Sequence, residues 1–211
     1  KPDSPNKRRV VISLKFYMKF QLSVFLFFLF LNSCERVKSD IPQNEYAIYN
    51  AYFKNYTDNE EFEVDSVSIG ILDSTSIRND LPLNEELITE LEKEWDIELS
   101  NDLIDNFNTK NISGHFLQDY FKTKITYQII RTDEYLEIFG NSYPWLNLEE
   151  KYPNITAFLN FSRVGINSKQ DKAILFSSVN CGALCGTTWY LFFEKVNDEW
   201  KLTREKMMSI S

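Results

Sequence analysis

Four strand-like runs crowd the last third of the chain with almost nothing between them, and that spacing restricts the fold more than any other feature. The runs are Ile155 to Val164, Lys172 to Cys181, Thr187 to Val196 and Glu199 to Met208. A parallel neighbour needs a crossover of about a dozen residues or more, so consecutive runs joined this closely must pair antiparallel. Asn197-Asp198 is a two-residue hairpin signal. Trp189, Leu191 and Phe193 alternate with Tyr190 and Phe192, which makes Thr187 to Val196 apolar on both faces and places it in the middle of a sheet. Trp200 and Leu202 alternate with Lys201 and Thr203, as expected of a strand nearer the edge.

The first half reads mostly as helix. Pro42 sits where a first helical turn tolerates proline. Tyr46, Tyr49, Phe53 and Tyr56 then recur every three or four residues, a stripe for core packing or, alternatively, a ligand platform. Val67, Ile69 and Ile71 alternate with Ser66, Ser68 and Gly70, predicting a half-buried strand within Val64 to Leu72, followed by a loop from Asp73 to Asp80. Asn84 is placed to cap a helix that turns Leu87, Ile88, Leu91 and Trp95 inward, and Ser100 to cap a short one through Leu103, Ile104 and Phe107. The acidic run from Glu85 to Glu94 reads as a solvated face, because calcium loops turn on a glycine that is missing here. Lys124 to Ile130 predicts a second strand, Thr132 a capped turn of helix carrying Tyr135, Leu136 and Phe139, and Pro144 to Pro153 a partly helical segment. The fold class expected is α+β: N-terminal helices and a mainly antiparallel C-terminal sheet of about five or six strands.

Ahead of this body, Met18-Lys19-Phe20 leads into an unbroken apolar run from Val24 to Leu31 that ends in Asn32-Ser33-Cys34. A basic start, an apolar middle and a small residue before the cut make a secretory signal. The cysteine directly after that small residue resembles the bacterial lipobox, whose thiol is acylated before cleavage. A membrane-spanning helix would need about 20 apolar residues, and the stretch from Phe20 to Leu31 is shorter and includes Gln21 and Ser23. The expected organisation is an upstream segment at 1–17, a lipoprotein signal at 18–33, a tether at 34–41 and one α+β domain at 42–211. Six of the 23 basic residues and one of the 31 acidic ones precede Cys34, so the processed chain carries 17 basic against 30 acidic side chains, a net charge of −13. That balance repels nucleic acid and anionic lipid alike, leaving the acyl chains on Cys34 as the membrane tether; two or more such chains hold stably.

Chemistry has few footholds. Cys181 and Cys185 flank Gly182-Ala183-Leu184 at the expected tip between two strands, where alpha carbons come within disulfide range. Outside the cytoplasm a structural disulfide is favoured, with packed thiols, a redox pair and a metal site as the other readings. Three intervening residues differ from the two of a thioredoxin-like pair, and zinc would need two more ligands. The single histidine, His115, lies in a loop-like Ser113-Gly114-His115; it reads as a surface polar residue or, paired with a cysteine, as a base. Arg163 interrupts the apolar face formed by Ile155, Ala157, Leu159 and Phe161, either to pair with a carboxylate at the sheet's end or to point into a ligand cleft. Asp133, Glu134 and Glu137 could belong to a hydrolytic site assembled from dispersed residues. No nucleophile elbow, zinc-helix, phosphate-loop or dinucleotide motif occurs; no metal or cofactor is expected. The Asn-x-Ser/Thr triplets at 55, 111, 154 and 160 carry no weight in a chain this rich in asparagine.

Phe161-Ser162-Arg163-Val164-Gly165-Ile166-Asn167, Cys181-Gly182-Ala183-Leu184-Cys185-Gly186, an early Glu45-Tyr46-Ala47-Ile48-Tyr49 and Tyr152-Pro153 together resemble a family of secreted and lipid-anchored bacterial proteins. The resemblance implies a shared fold and lends no activity. The expectation is therefore a lipid-anchored cell-envelope protein, in the outer membrane, that binds a ligand or a protein partner without catalysis, with Arg163 and His115 as candidate binding residues. An envelope hydrolase is the alternative.

Overall fold

The computed structural model of the protein describes residues 41–57, 68–76 and 82–210. The signal segment, Cys34, the tether up to residue 40 and the start of the first expected strand lie outside these residues. The elements run α1 (Gln43–Thr57), β1 (Ser68–Leu72), α2 (Glu85–Trp95), α3 (Asn101–Lys110), β2 (Thr126–Ile130), α4 (Thr132–Phe139), α5 (Pro144–Lys151), β3 (Ala157–Phe161), β4 (Gly165–Ile166), β5 (Lys172–Asn180), β6 (Gly186–Val196) and β7 (Glu199–Ile210). The strands form one seven-stranded sheet in the order β2-β1-β3-β5-β6-β7, with β4 also pairing β5.

The C-terminal strands pair as their short connections require. β5, β6 and β7 are successive antiparallel neighbours. Asn197 and Asp198 both have left-handed backbones, at φ 52° and 65°, the conformation that lets a two-residue turn follow the twist of its strands. The expectation of a mainly antiparallel sheet of about five or six strands is corrected in two respects: the sheet has seven strands, and it is mixed. β1 pairs parallel with both β2 and β3. The chain between β1 and β2 holds α2 and α3, and that between β2 and β3 holds α4 and α5; both connections are long enough to carry a strand back in the same direction. A central position also changes β1 itself. Ile69, Gly70, Ile71 and Leu72 are all buried, so the strand is covered on both faces and is not half-buried.

Side-chain alternation sorts the core into layers. Ile69, Ile71, Leu159, Phe161, Leu175, Leu191 and Phe193 pack on α1 and on Leu117, Phe121 and Ile125 from the segment before β2. The alternate residues Ile174, Phe176, Tyr190 and Phe192 pack on Leu87, Leu91 and Trp95 of α2 and Leu103 and Phe107 of α3. Leu72, Ile130 and Phe158 meet Tyr135 of α4 and Leu148 of α5. Asn84 caps α2 by accepting the Leu87 N–H at 2.9 Å, whereas Ser100 makes no side-chain cap bond to α3. The helix expected from Thr132 forms, but Tyr135 alone of its three apolar residues is buried; Leu136 and Phe139 are exposed. Thr132 itself turns its hydroxyl and N–H to the Asp73 carboxylate, 2.9 Å in each case.

Between β3 and β4 the edge against β5 is broken by one extra residue. Phe161 faces Ser177 and Gly165 faces Ile174, so Ser162, Arg163 and Val164 oppose only Ile174's two successors: a β-bulge. Gly165 restores pairing at a point where α3 presses directly on the sheet. A Cβ there would lie 2.5 Å from Phe107 Cβ and 2.9 Å from its Cα, and backbone on a packed helix has no room to yield. Gly165→Ala should therefore lower unfolding stability by about 1–3 kcal/mol, as overpacking does, and urea melts of the two forms would measure it.

Candidate functional site

Among the described residues, two places bear most directly on the candidates read from the sequence: the bulge at Arg163 and an apolar pocket beneath the β5–β6 tip. The first accounts for the arginine. Arg163 is 7% exposed and Glu45 of α1 is fully buried. The guanidinium grips the carboxylate with two bonds, Nε to Oε2 at 2.8 Å and Nη2 to Oε1 at 2.6 Å, the bidentate geometry that makes such pairs strong. Lys110 Nζ lies 3.1 Å from the same Oε1 and donates to the Val164 carbonyl at 2.9 Å. The expected partner was a carboxylate at the sheet's end; the actual one comes from the first helix, 118 residues away.

The carboxylate does more than neutralise charge. Its Oε2 also accepts the Val164 N–H at 3.1 Å. Asn111, at the end of α3, accepts the Arg163 N–H at 2.8 Å and donates to the Arg163 carbonyl at 3.1 Å. The Ser162 hydroxyl accepts the Phe176 N–H at 2.9 Å, and Tyr49 donates its own hydroxyl to the Ser162 carbonyl at 2.9 Å. Every backbone group that the bulge takes out of strand pairing at Arg163 and Val164 thus finds a side chain, as burial demands. Burial works to raise the Glu45 pKa, but the Arg163 hydrogen bonds, the Lys110 and Arg163 charges and the Val164 N–H together hold it below the usual 4.5. Asn111 heads one of the Asn-x-Ser/Thr triplets, and its side chain is buried in this lattice of bonds.

His115 is near this locus but engaged elsewhere. Its N–H donates to Thr75 Oγ1 at 3.0 Å and its carbonyl accepts the Thr75 N–H at 2.9 Å, while ring Nε2 lies 3.3 Å from Ser113 Oγ. Partial burial, with the Arg163 charge adding to it, holds the imidazole below its usual pKa. The dispersed carboxylates have local partners: Asp133 takes Arg131 through two hydrogen bonds and Glu134 takes Lys151. Among the described residues no group of histidine, cysteine and acidic side chains could hold a metal ion, and no helix is long and apolar enough to cross a membrane.

Cys181 and Cys185 follow β5 and precede β6, with Cα atoms 5.1 Å apart and sulfurs at disulfide distance. The Cys181 N–H donates to the Cys185 carbonyl at 2.7 Å, closing the tip. Below it lies a cavity of about 570 Å³. Tyr52, Phe53 and Tyr56 of α1 form one wall; Ile69, Ala157 and Leu159 of the parallel strands form the floor with Ile125; Val179, Cys181, Thr187 and Trp189 form the other wall, and Thr156 completes it. Of Arg163, His115 and the cysteine tip, only the tip is among the described residues lining this cavity, and the aromatic stripe of α1 supplies its wall as well as core. The Tyr56 hydroxyl is pushed up to about 12 by burial, with the Glu205 charge adding to it. The sequence held a signal for the aromatic wall, in Tyr56 and Trp189, but none for the floor, which needs β1 and β3 to be neighbours.

No protein-family model, curated protein or solved structure matches the chain.

The Glu45 carboxyl is held below its ordinary value, so the bulge locus contributes stability that is present above pH of about 4.5 and lost as pH falls through the folded-state pKa. Glu45→Gln strands the Arg163 charge in the core and should cost about 3–5 kcal/mol at neutral pH. The same substitution should flatten the acid limb of stability against pH, read by denaturant melts from pH 3 to 7. Arg163→Met should cost less, because Lys110 still faces the carboxylate.

Proposed function

We propose that this chain is a lipid-anchored protein of the bacterial cell envelope, in the outer membrane, whose domain binds a small, largely apolar ligand without catalysis. The address is supported by the apolar run to Leu31 and by Ser33-Cys34. Binding is supported by a single observation: the cavity of about 570 Å³ under the cysteine tip. Its size lies within the range of small-molecule pockets, and apolar walls with a few hydroxyls at the margin are the usual make-up of such sites. Tyr56, Thr156 and Thr187 supply the hydroxyls. Acyl chains on Cys34 would keep the domain at the bilayer surface, where apolar ligands partition.

Two experiments test the two halves of this reading. A neutral fluorescent probe, N-phenyl-1-naphthylamine, should bind saturably with enhanced emission. Ala157→Trp, which fills the floor of the cavity, should weaken that binding by about tenfold or more, the factor given by about 1.4 kcal/mol of lost contact. Saturable binding unchanged in a folded Ala157→Trp protein would remove the cavity from the proposal. For the anchor, Cys34→Ala should release the protein from membranes or leave its signal uncut. Unchanged mature mass and membrane fractionation would exclude acylation at that cysteine.

A further inference from the structure

Aromatic rings are unevenly distributed around the cavity, and so is charge. Tyr52, Phe53, Tyr56 and Trp189 all line it, and among the described residues no lysine, arginine or histidine does. Tyr52 and Tyr56 stand one helical turn apart on α1 with ring centroids 4.8 Å apart and planes tilted by 54°, so the two rings meet at an angle along one side of the cavity. Trp189 of β6 lines the same cavity.

Glu205 supplies a negative charge close by. Trp189 pairs in register with Met207, and Leu191 with Glu205. Glu205 therefore sits one pleat away from Trp189 on the same face of the sheet, the face that packs on α1. It is exposed. Its carboxylate bears on both tyrosine hydroxyls, adding to the upward push that burial gives Tyr52 and Tyr56. A ring presents its negative face to a cation and gains most when the cation's own hydration is weak, as in a methylated ammonium. An anionic ligand would meet aromatic rings and a nearby carboxylate, with no cation among the described lining residues to receive it.

We infer that the pocket selects a quaternary or methylated ammonium group, held among Tyr52, Tyr56 and Trp189 with Glu205 on the adjoining strand as its counter-charge, and discriminates against carboxylates. This rests on the proposed binding role of the same cavity, and it adds the charge and chemical class of what enters.

The test compares choline with its uncharged carbon isostere, 3,3-dimethyl-1-butanol, and with 3,3-dimethylbutanoate. Calorimetric titration would use the full chain in nanodiscs whose lipids carry no choline headgroup. Choline should bind about tenfold more tightly than the alcohol, a factor within reach of desolvated cation–ring contacts, and the carboxylate more weakly than either. Trp189→Leu should erase the preference for choline over the alcohol. Glu205→Gln, a surface change that does not threaten folding, should weaken choline severalfold and leave the alcohol unaffected. If the alcohol or the carboxylate binds as well as choline, or if both variants keep the preference, the ammonium assignment is overturned and the apolar pocket stands. If none of the three binds and N-phenyl-1-naphthylamine fails as well, the binding role falls with it.

Discussion

A bulge inside a covered sheet removes backbone donors and acceptors from strand pairing, and none of them has water to turn to. In this protein the answer to that constraint is Glu45. One carboxylate from the first helix takes the Arg163 guanidinium, the Lys110 ammonium and the Val164 N–H, while Asn111 pairs with both backbone groups of Arg163. The arrangement ties α1, α3 and the β3–β4 edge at one buried point, from the two opposite faces of the sheet. A buried ion pair of this kind adds little net stability over an apolar replacement, but breaking it leaves a charge without a partner. It therefore specifies how the layers sit on one another more than how tightly they hold.

The position of α1 fixes the pocket. Tyr46 and Tyr49 lie near the Glu45 end, in an aromatic cluster with Phe121 and Phe161, and Tyr49 also donates to the bulge. One and two turns on, Tyr52 and Tyr56 reach past the parallel strands toward the hairpin tip and become a wall of the cavity. The helix is thus anchored at one end by charge and offers rings at the other. The opposite wall is held by the closed tip at Cys181 and Cys185, whose short loop constrains the ends of β5 and β6 locally.

Local pattern fixed much of this beforehand. Period-two alternation and short connections determine β5, β6 and β7, their antiparallel pairing, the interior place of β6 and the turn at Asn197-Asp198, because each depends on residues close in the chain. Helical spacing likewise marks α1, α2 and α3, and Asn84 marks a true cap. The cysteine spacing and the strands on either side of it place Cys181 and Cys185 at a hairpin tip.

What local pattern leaves open is everything that links distant segments. Val64 to Leu72 reads as half-buried, since an alternation of Val and Ile with Ser and Gly looks the same whether glycine faces solvent or a packed phenylalanine; in the fold, Phe158 and Ile130 crowd Gly70. Parallel neighbours for β1 follow from two helical crossovers whose direction no short window encodes. Arg163 announces an unusual environment by interrupting apolar residues, yet nothing within reach along the chain names Glu45 as its partner. The amino-acid sequence alone determines most of the strands and helices, the charge and the signal-like segment, through interactions among near neighbours. The tertiary structure alone decides the mixed sheet, the Glu45–Arg163 lock and the aromatic cavity, because buried charge and apolar surface are satisfied only by what folding brings alongside.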